Sequence, residues 1–414
     1  MDSYNNIYRD IAARTQGDIY IGVVGPVRTG KSTFIKKFMD MAVLPKMDND
    51  YKKTRAMDEL PQSAGGRTIM TTEPKFIPNE AVEISIGDSA TFKMRMIDCV
   101  GYIVDGANGY LEDEMPRMVM SPWSETPIPF ADAAEIGTRK VIADHSTVGI
   151  VITTDGSITG IDRNDYITPE ERVITELRDL GKPFVVILNS THPNAPQTLA
   201  CAKNIEAKHG VKVIPLDCMA MSEKDIDMVM ESILYEFPLR EISVSLPQWI
   251  LSLDSDNPIK SKIRDTVFGT SDILSKVADA ISLPDKIQDC EYVDKACIEN
   301  IDAGVGVVKI TVSVPETLFY QTVKEQTGFC IDDRMEMLSL MKDLSKMKAE
   351  YDKISSALTE VKQKGYGIVT PSLDELTLEE PEIVKQGSRF GVRLKASAPS
   401  IHIMCNKPKS LEAA

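Results

Sequence analysis

The sequence has no long apolar runs and no paired metal-binding residues. No stretch approaches the roughly 20 uninterrupted apolar residues that a membrane helix requires, and the N-terminus MDSYNNIYRDIAARTQGD has no apolar signal region. The seven cysteines include no C-x-x-C pair, and with only four histidines a structural zinc site is not expected. Scattered cysteines are typical of a reducing compartment, so we predict a cytoplasmic protein.

Positive charge is also scarce. The net charge of −15 argues against general affinity for nucleic acid or for bare anionic lipid. With 414 residues and 43% apolar content, the chain is too long for one ordinary core. We predict a P-loop domain over 1–240, an α+β middle domain over 241–330 and a C-terminal domain over 331–408 with a long helix and strands.

Apolar strands alternate with amphipathic helices over the first 240 residues, which predicts an α/β fold with a mostly parallel sheet covered on both faces. The pattern predicts strands at 18–24, TVGIVITT, PFVVILNS and VKVIPLD, a hairpin of AVEISIG and TFKMRMID, and helices near 32–43, 131–144, 169–180, 195–209 and 222–236. The segments 44–74 and 100–130 are predicted loops. Beyond 240, EISVSLPQWI and GVGVVKITVSVP resemble strands, 259–282 is helical, and the tail holds a strand pair.

Residues 333–363 form the longest periodic stretch. Apolar residues recur every three or four positions, which predicts one helix of about eight turns; they are Met335, Leu338, Met341, Leu344, Met347, Tyr351, Ile354, Leu358 and Val361. The helix either packs on its own domain or forms a coiled-coil or assembly seam. The early spacings of three favour the first interpretation.

The stretch GPVRTGKST follows the predicted strand 18–24 and precedes a predicted helix. It matches G-x-x-x-x-G-K-[ST], a loop whose backbone amides cradle phosphates at a helix N-terminus. Lys31 would bridge β- and γ-oxygens, and Ser32 would place its hydroxyl on magnesium. The predicted binding residues are Gly25, Pro26, Val27, Arg28, Thr29, Gly30, Lys31, Ser32 and Thr33.

Two further segments fit the same site. RMIDCVG ends a strand with Asp98 and Gly101, a D-x-x-G arrangement in which the aspartate holds magnesium through a water and the glycine amide meets the γ-phosphate. Thr71 and Thr72 lie between the P-loop helix and the hairpin, where a threonine can ligate magnesium and sense the γ-phosphate. Asp98 as a turn cap and the threonines as ordinary strand residues are the structural alternatives.

The order of these elements is that of Ras-like, translation-factor-class GTPases, but the base-reading motif N-K-x-D is incomplete. VILNSTHP keeps Asn189, whereas Ser190 replaces the lysine and His192 the aspartate that reads guanine. Adenine is therefore predicted as the base. Many GTPases place a glutamine after D-x-x-G; here Tyr102 follows, and Gln62 is a candidate by residue type only. We therefore expect slow hydrolysis.

Several stretches closely resemble the stage IV sporulation protein A family of endospore-forming bacteria, as far as about His402: RDIAARTQGDIYIGVVGPVRTGKSTFIKKFM, DELPQSAGGRTIMTTEPKFIP, AAEIGTRKVI, GIVITTDGSI and QGSRFGVRLKASAPSIH. The resemblance implies an ATPase that polymerises on hydrolysis into the basement layer of the spore coat, in the mother-cell cytoplasm on the outer forespore surface. It also implies a small amphipathic membrane-anchor peptide and other coat morphogenetic proteins as partners, so that membrane contact is indirect. In that family Lys31 corresponds to the phosphate-binding lysine, Asp98 to the magnesium aspartate, and Thr71 and Thr72 to the sensor threonines.

The resemblance ends at IMCNKPKSLEAA, so the region that meets the anchor peptide is expected to be absent or shortened. Two other readings stay open: a regulatory GTPase switch that does not polymerise, and a structural nucleotide-binding module without turnover. The incomplete N-K-x-D argues against the first, whereas the missing glutamine favours the second.

Overall fold

A computed structural model describes residues 2–47, 50–61, 74–86, 90–107, 109–112, 115–121, 123–271, 274–371, 375–387 and 389–405. The chain divides into two compact units, Met1–Val314 and Pro315–Ala414. Each unit is described by itself below.

The first unit alternates helices and strands. Its α-helices are α1 (Asp2–Arg14), α2 (Lys31–Phe38), α3 (Asp50–Asp58), α4 (Phe130–Lys140), α5 (Arg163–Asp179), α6 (Pro196–His209), α7 (Glu223–Tyr235), α8 (Gln248–Leu251), α9 (Pro258–Ser271) and α10 (Leu283–Gln288). Its strands are β1 (Asp18–Val24), β2 (Lys75–Ile86), β3 (Ala90–Asp98), β4 (Leu111–Glu112), β5 (Met115–Pro116), β6 (Met118–Ser121), β7 (Ser124–Pro129), β8 (Val148–Thr154), β9 (Phe184–Asn189), β10 (Val213–Leu216), β11 (Glu241–Ser245), β12 (Lys295–Asp302) and β13 (Val307–Ser313). Short π-helical turns extend α2 over Met39–Val43 and α4 over Val141–His145.

Six strands form a central sheet in the order β10-β9-β8-β1-β3-β2. All neighbours run parallel except the β2–β3 hairpin, which is antiparallel. Every residue of β8 and β9 is buried, as expected for strands covered by helices on both faces. The predicted mostly parallel α/β sheet and its hairpin are confirmed.

Two apolar clusters cover the two faces of this sheet. One cluster joins α1, α2 and α7 to the sheet, and the other joins α5 and α6. Helix α1 belongs to the first cluster through Tyr8 and Ile11, which are buried, and it packs on α7. This helix was not predicted, although its apolar residues lie at helical spacing.

Three other segments differ from the predictions. The predicted loop 44–74 contains α3, whose one buried residue among those described is Ala56, so no apolar stripe marks it. Helix α5 begins at Arg163 rather than near residue 169, because the Asp162 side chain accepts a hydrogen bond from the Asn164 amide and caps it. The predicted loop 100–130 contains the short strands β4–β7.

A second sheet of three strands follows in the first unit, in the order β11-β13-β12. Strand β11 pairs with β13 in parallel and β12 pairs with β13 antiparallel. The predicted strands at β11 and β13 are confirmed, but the QWI segment is helix α8, and β12 was not predicted. Arg14 of α1 contacts residues next to this sheet: its Nε donates to the oxygen of Ala303, which follows β12, at 2.7 Å, and its guanidinium lies 5.6 Å from the centre of the Phe237 ring, which precedes β11.

The second unit contains helices α11 (Glu316–Thr327) and α12 (Arg334–Lys364) and strands β14 (Tyr366–Val369), β15 (Thr377–Leu378), β16 (Glu382–Gln386), β17 (Arg389–Arg393), β18 (Ala396–Ser397) and β19 (Ile401–Met404). The strands pair antiparallel as β14–β19, β15–β18 and β16–β17. The predicted long helix and the strand pair of the tail are confirmed. Of the helices in the described part of the chain, none combines the length and the apolar character that crossing a bilayer demands.

Candidate nucleotide-binding site

The loop between β1 and α2 has a backbone that requires glycine at two positions. Gly25 has φ +140°, and a Cβ there would lie 2.2 Å from the Ile152 oxygen of β8. Gly30 has φ +92°, and a Cβ there would lie 2.3 Å from Nδ2 of Asn189. Arg28 also has a positive φ, +67°, which an L-residue adopts at a cost of about 1–3 kcal/mol. The loop is therefore closely packed and strained, as functional loops often are.

Lys31 begins α2 and is 6% exposed. Its Nζ donates to the Pro26 oxygen at 2.7 Å and to the Gly25 oxygen at 3.3 Å, while the Thr29 hydroxyl donates to the Pro26 oxygen at 3.0 Å. Burial lowers the pKa of the Lys31 ammonium below its usual value. The ammonium is thus held within the loop by neutral carbonyl groups, which an anionic phosphate can replace as stronger acceptors.

The next residue, Ser32, contacts the end of β3. Its Oγ donates to Oδ2 of Asp98 at 2.8 Å, whereas Oδ1 of Asp98 is buried without a hydrogen-bond partner. Burial raises the pKa of Asp98, and the Ser32 hydrogen bond and the Lys31 charge oppose that rise. A hydroxyl oxygen beside an unsatisfied carboxylate oxygen fits Mg²⁺, which prefers oxygen ligands. The residues present therefore suit this ion.

The segment after Asp98 is joined to the loop through the backbone. The Tyr102 amide donates to the Gly25 oxygen at 3.3 Å, and the Val27 amide donates to the Tyr102 oxygen at 2.8 Å. Gly101 has φ +96°, and a Cβ there would lie 2.2 Å from the Gly25 oxygen and 2.6 Å from Nζ of Lys31. The D-x-x-G glycine therefore lies against the phosphate-binding loop, where the sequence placed it.

Tyr102 occupies the position at which many GTPases have glutamine. Its side chain is buried in the cluster beneath α5, its hydroxyl donates to Glu176, and the Arg172 guanidinium lies 5.2 Å from the centre of its ring. Burial raises the pKa of the Tyr102 hydroxyl, and the Glu176 hydrogen bond adds to that rise. The Tyr102 side chain therefore packs in the core, with its hydroxyl bonded to Glu176, and is not placed to orient a hydrolytic water.

Asn189 connects the loop to the segment that follows β10. Its Nδ2 donates to the Thr29 oxygen at 3.0 Å, and its Oδ1 accepts from the Cys218 amide at 3.1 Å. The side chain is 4% exposed. The sequence predicts Asn189 as a nucleotide-binding residue. In the structure both ends of its side-chain amide are hydrogen-bonded to backbone groups, so the side chain holds the P-loop in place.

A network of hydroxyl groups lies beside Asn189, around a carboxylate that sequence reasoning missed. Asp155, at the end of β8, accepts from the Ser157 hydroxyl at 2.6 Å and from the Thr198 hydroxyl at 3.0 Å. Burial alone would raise the pKa of Asp155, but these hydrogen bonds hold it below its usual value. Ser190 accepts from the amide of His192, whose ring is exposed. The Asp-Gly-Ser sequence directly after a buried strand could have pointed to Asp155.

The structure brings together the P-loop, Asp98, Gly101 and Asn189. Thr71, Thr72 and Gln62 lie outside the described residues. The roles given to all these residues, magnesium binding by Ser32, Thr71 and Asp98 included, stay predictions.

The loop between β1 and α2, with Lys31 and the Ser32–Asp98 pair, has the form of a P-loop nucleotide site. Residues 1–238 match the family model described as stage IV sporulation protein A, ATPase domain, which makes this an ATP-hydrolysing enzyme. Residues 239–408 match the middle-domain model of the same family. The chain belongs to the stage IV sporulation protein A family.

Curated relatives agree with this assignment. The chain is 52% identical over 400 residues to stage IV sporulation protein A of Clostridioides difficile, covering 97% of this chain and 82% of that protein. It is 49% identical over 399 residues to the Bacillus subtilis protein of the same name, covering 96% of this chain and 81% of that protein. The relative from Bacillus anthracis is 48% identical over the same length, with the same coverage.

Proposed function

We propose that this ATPase hydrolyses MgATP slowly and uses the reaction to assemble copies of itself into the static basement layer of the bacterial spore coat. The observation that carries the nucleotide part is the Ser32–Asp98 pair, in which the carboxylate is buried with one oxygen unsatisfied, next to Lys31 in a closely packed P-loop. The assembly part rests on membership of a sporulation family.

The chain's own residues would act as follows. Lys31 exchanges the oxygens of Gly25 and Pro26 for β- and γ-phosphate oxygens, and the loop amides contact the same groups. Ser32 and Asp98, with Thr71 as the third predicted ligand, would hold the magnesium ion. The ion, when bound, neutralises charge on the phosphates. Asn189 maintains the loop shape through the Thr29 oxygen, so the cradle exists before the nucleotide arrives.

Two features support the finer assignments of topology and base. The sheet order β10-β9-β8-β1-β3-β2, with a single antiparallel edge strand, supports a Ras-like topology for the ATPase domain. On the base side, Ser190 takes the place of the lysine of N-K-x-D, and His192 takes the place of the aspartate that a guanine-reading site needs. Asp155 already accepts hydrogen bonds from two hydroxyl groups, which compete for its oxygens. We therefore propose adenine as the base.

The cellular setting is proposed from the family resemblance. The chain would act in the mother-cell cytoplasm, on the outer forespore surface, with a small amphipathic anchor peptide and other coat proteins as partners. Contact with the membrane would then be indirect.

Nucleotide competition and sedimentation test the proposal together. Unlabelled ATP should displace a fluorescent ATP analogue better than GTP does. Lys31→Ala should abolish binding, whereas Lys36→Ala should not, because Lys36 lies five residues further along α2 and is exposed. Sedimentable polymer should form with ATP, but not with a non-hydrolysable analogue or in Asp98→Ala. Preferential displacement by GTP would instead favour a regulatory GTPase switch. Equal polymer with the analogue would disprove the coupling.

A further inference from the structure

Helix α12 carries a regular heptad pattern of apolar residues. Eight of them alternate three and four positions apart along the helix: Met337, Leu340, Leu344, Met347, Tyr351, Ile354, Leu358 and Val361. Met335 lies two positions before Met337, about 200° around the helix, and so on another face. The regular stripe therefore begins at Met337. It is not built from the early spacings of three residues that argued against a coiled-coil seam. Apolar positions sustained over this length are typical of a coiled coil.

Part of this stripe is exposed midway along the helix, whereas its first residues, Met337, Leu340 and Leu344, are partly buried. The helix packs on β14 and β19, and the contact lies towards its C-terminal end, where Ala357 is buried and a Cβ on Gly367 would lie 2.2 Å from the Ala357 oxygen. Further towards the N-terminus Met347 is 61% exposed and Tyr351 58% exposed, and Met341 beside the stripe is 61% exposed. Pairing with a partner helix would cover Met347 and Tyr351 and complete the burial of the partly buried residues before them.

The charges that flank the stripe specify the partner and its direction. With Met337 at heptad position a, the basic residues Arg334, Lys348 and Lys362 fall at position e, and the acidic residues Glu336, Asp343 and Glu350 fall at position g. In a parallel pair of identical helices, each g residue faces the e residue five positions later on the other helix, which pairs Asp343 with Lys348 twice.

An antiparallel pair over the same length is disfavoured by like charges. It would place Lys348 opposite Lys348, Glu350 opposite Glu350 and Arg334 opposite Lys362, against one attractive combination, Glu336 with Lys364. Because a helix pairs with its own copy most readily where its edges are complementary, the occupant that fits this surface is a second copy of the chain in the parallel direction.

We propose that α12 pairs in parallel and in register with α12 of a second copy, so that the chain forms a dimer through the seam Met337–Tyr351. This pairing requires neither nucleotide nor hydrolysis. It goes beyond the proposed hydrolysis-driven assembly, for which it would supply a two-chain building unit.

Disulfide trapping in the full chain tests the seam. In a background with the exposed Cys297, Cys330 and Cys405 replaced by serine, Leu344→Cys should form a covalent dimer under mild oxidation, because the two copies of residue 344 face each other in a parallel pair. Ala349→Cys, at position f on the opposite side, is the matched control and should stay monomeric. Trapping only when Leu344→Cys is mixed with Ile354→Cys would overturn the parallel direction, and equal trapping at 344 and 349 would overturn the seam.

Sedimentation without nucleotide, in the Lys31→Ala background, separates this proposal from the proposed function. The parent chain should sediment as a dimer, Leu340→Glu with Met347→Glu should give a monomer, and Met347→Leu should stay dimeric. With Lys31 restored, the double glutamate variant should keep its ATP hydrolysis rate, which shows that it folds. A monomeric parent chain at micromolar concentration would disprove the pairing whether or not ATP drives assembly.

Discussion

Removing the Asn189 side chain should destabilise the chain and weaken nucleotide binding together. Asn189→Ala leaves the Thr29 oxygen and the Cys218 amide without their present partners in a buried position. Each buried polar group that loses its partner costs about 1–3 kcal/mol, so for these two groups we expect a loss of about 2–6 kcal/mol in the free energy of unfolding. Because the Thr29 carbonyl belongs to the phosphate loop, affinity for ATP should fall at least about tenfold, which corresponds to about 1.4 kcal/mol.

Urea unfolding followed by circular dichroism measures the first quantity, and titration calorimetry with ATP measures the second. Asn194→Ala is the control, because Asn194 follows in the same loop with an exposed side chain. Asn189→Asp keeps the shape and the acceptor for the Cys218 amide but turns the other end into an acceptor facing the Thr29 oxygen. Asn189→Asp should therefore weaken ATP binding, while its helix and strand content should stay close to that of the parent chain. Asn189→Ala within about 0.5 kcal/mol of the parent, with unchanged affinity, would refute the role given to this side chain.

Three other predictions follow from buried groups. Gly101→Ala should abolish ATP binding in calorimetry while far-UV circular dichroism stays unchanged, because its Cβ would lie 2.6 Å from Nζ of Lys31; retained binding would contradict the close approach. The Lys46 amine, whose pKa burial lowers from 10.5 to about 8, should titrate near that value in NMR of the methylated protein. Between these two pKa values the unfolded chain binds more protons than the folded chain, so this group adds stability as pH rises through that window. In Lys46→Met, the free energy of unfolding should therefore rise less steeply with pH over the same range. The buried Cys99, with its pKa raised to about 11 by burial, should resist iodoacetamide at pH 8 in peptide mass spectrometry, whereas the exposed Cys297 should react.

The central sheet could be predicted from the sequence because its strands are buried on both faces. A strand such as β8 or β9 must then be an uninterrupted apolar run, and flanking helices must carry the compensating polar faces. The P-loop was equally accessible, since Gly25, Gly30 and Lys31 are required at fixed spacing by the backbone of the loop itself. Helix α12 was found from its periodicity, although its regular face begins at Met337.

Elements with little buried surface could not be predicted from the sequence. Helix α3 buries Ala56 and little else, so its sequence resembles a polar loop. Helix α1 is an exception: Ile7, Tyr8, Ile11 and Ala12 recur at helical spacing and pack on the core, a signal that the prediction did not use.

The surroundings of the base-side residues depend on contacts between distant segments. Asp155 meets Thr198 only because β8 and β9 are neighbours in the sheet, and Tyr102 meets Glu176 only because α5 covers that face. Such contacts are a property of the topology, and no local pattern encodes them.

The contact made by Arg14 bears on where the chain can be divided. The boundary between the two family models, at residue 238, keeps the whole central sheet on one side and places Ala303 on the other. A fragment cut there would leave the Arg14 guanidinium without its carbonyl acceptor and would remove Ala303 from the apolar cluster that contains Phe237. Recombinant ATPase fragments should therefore extend through β13, to Val314, if their melting behaviour is to represent the intact chain.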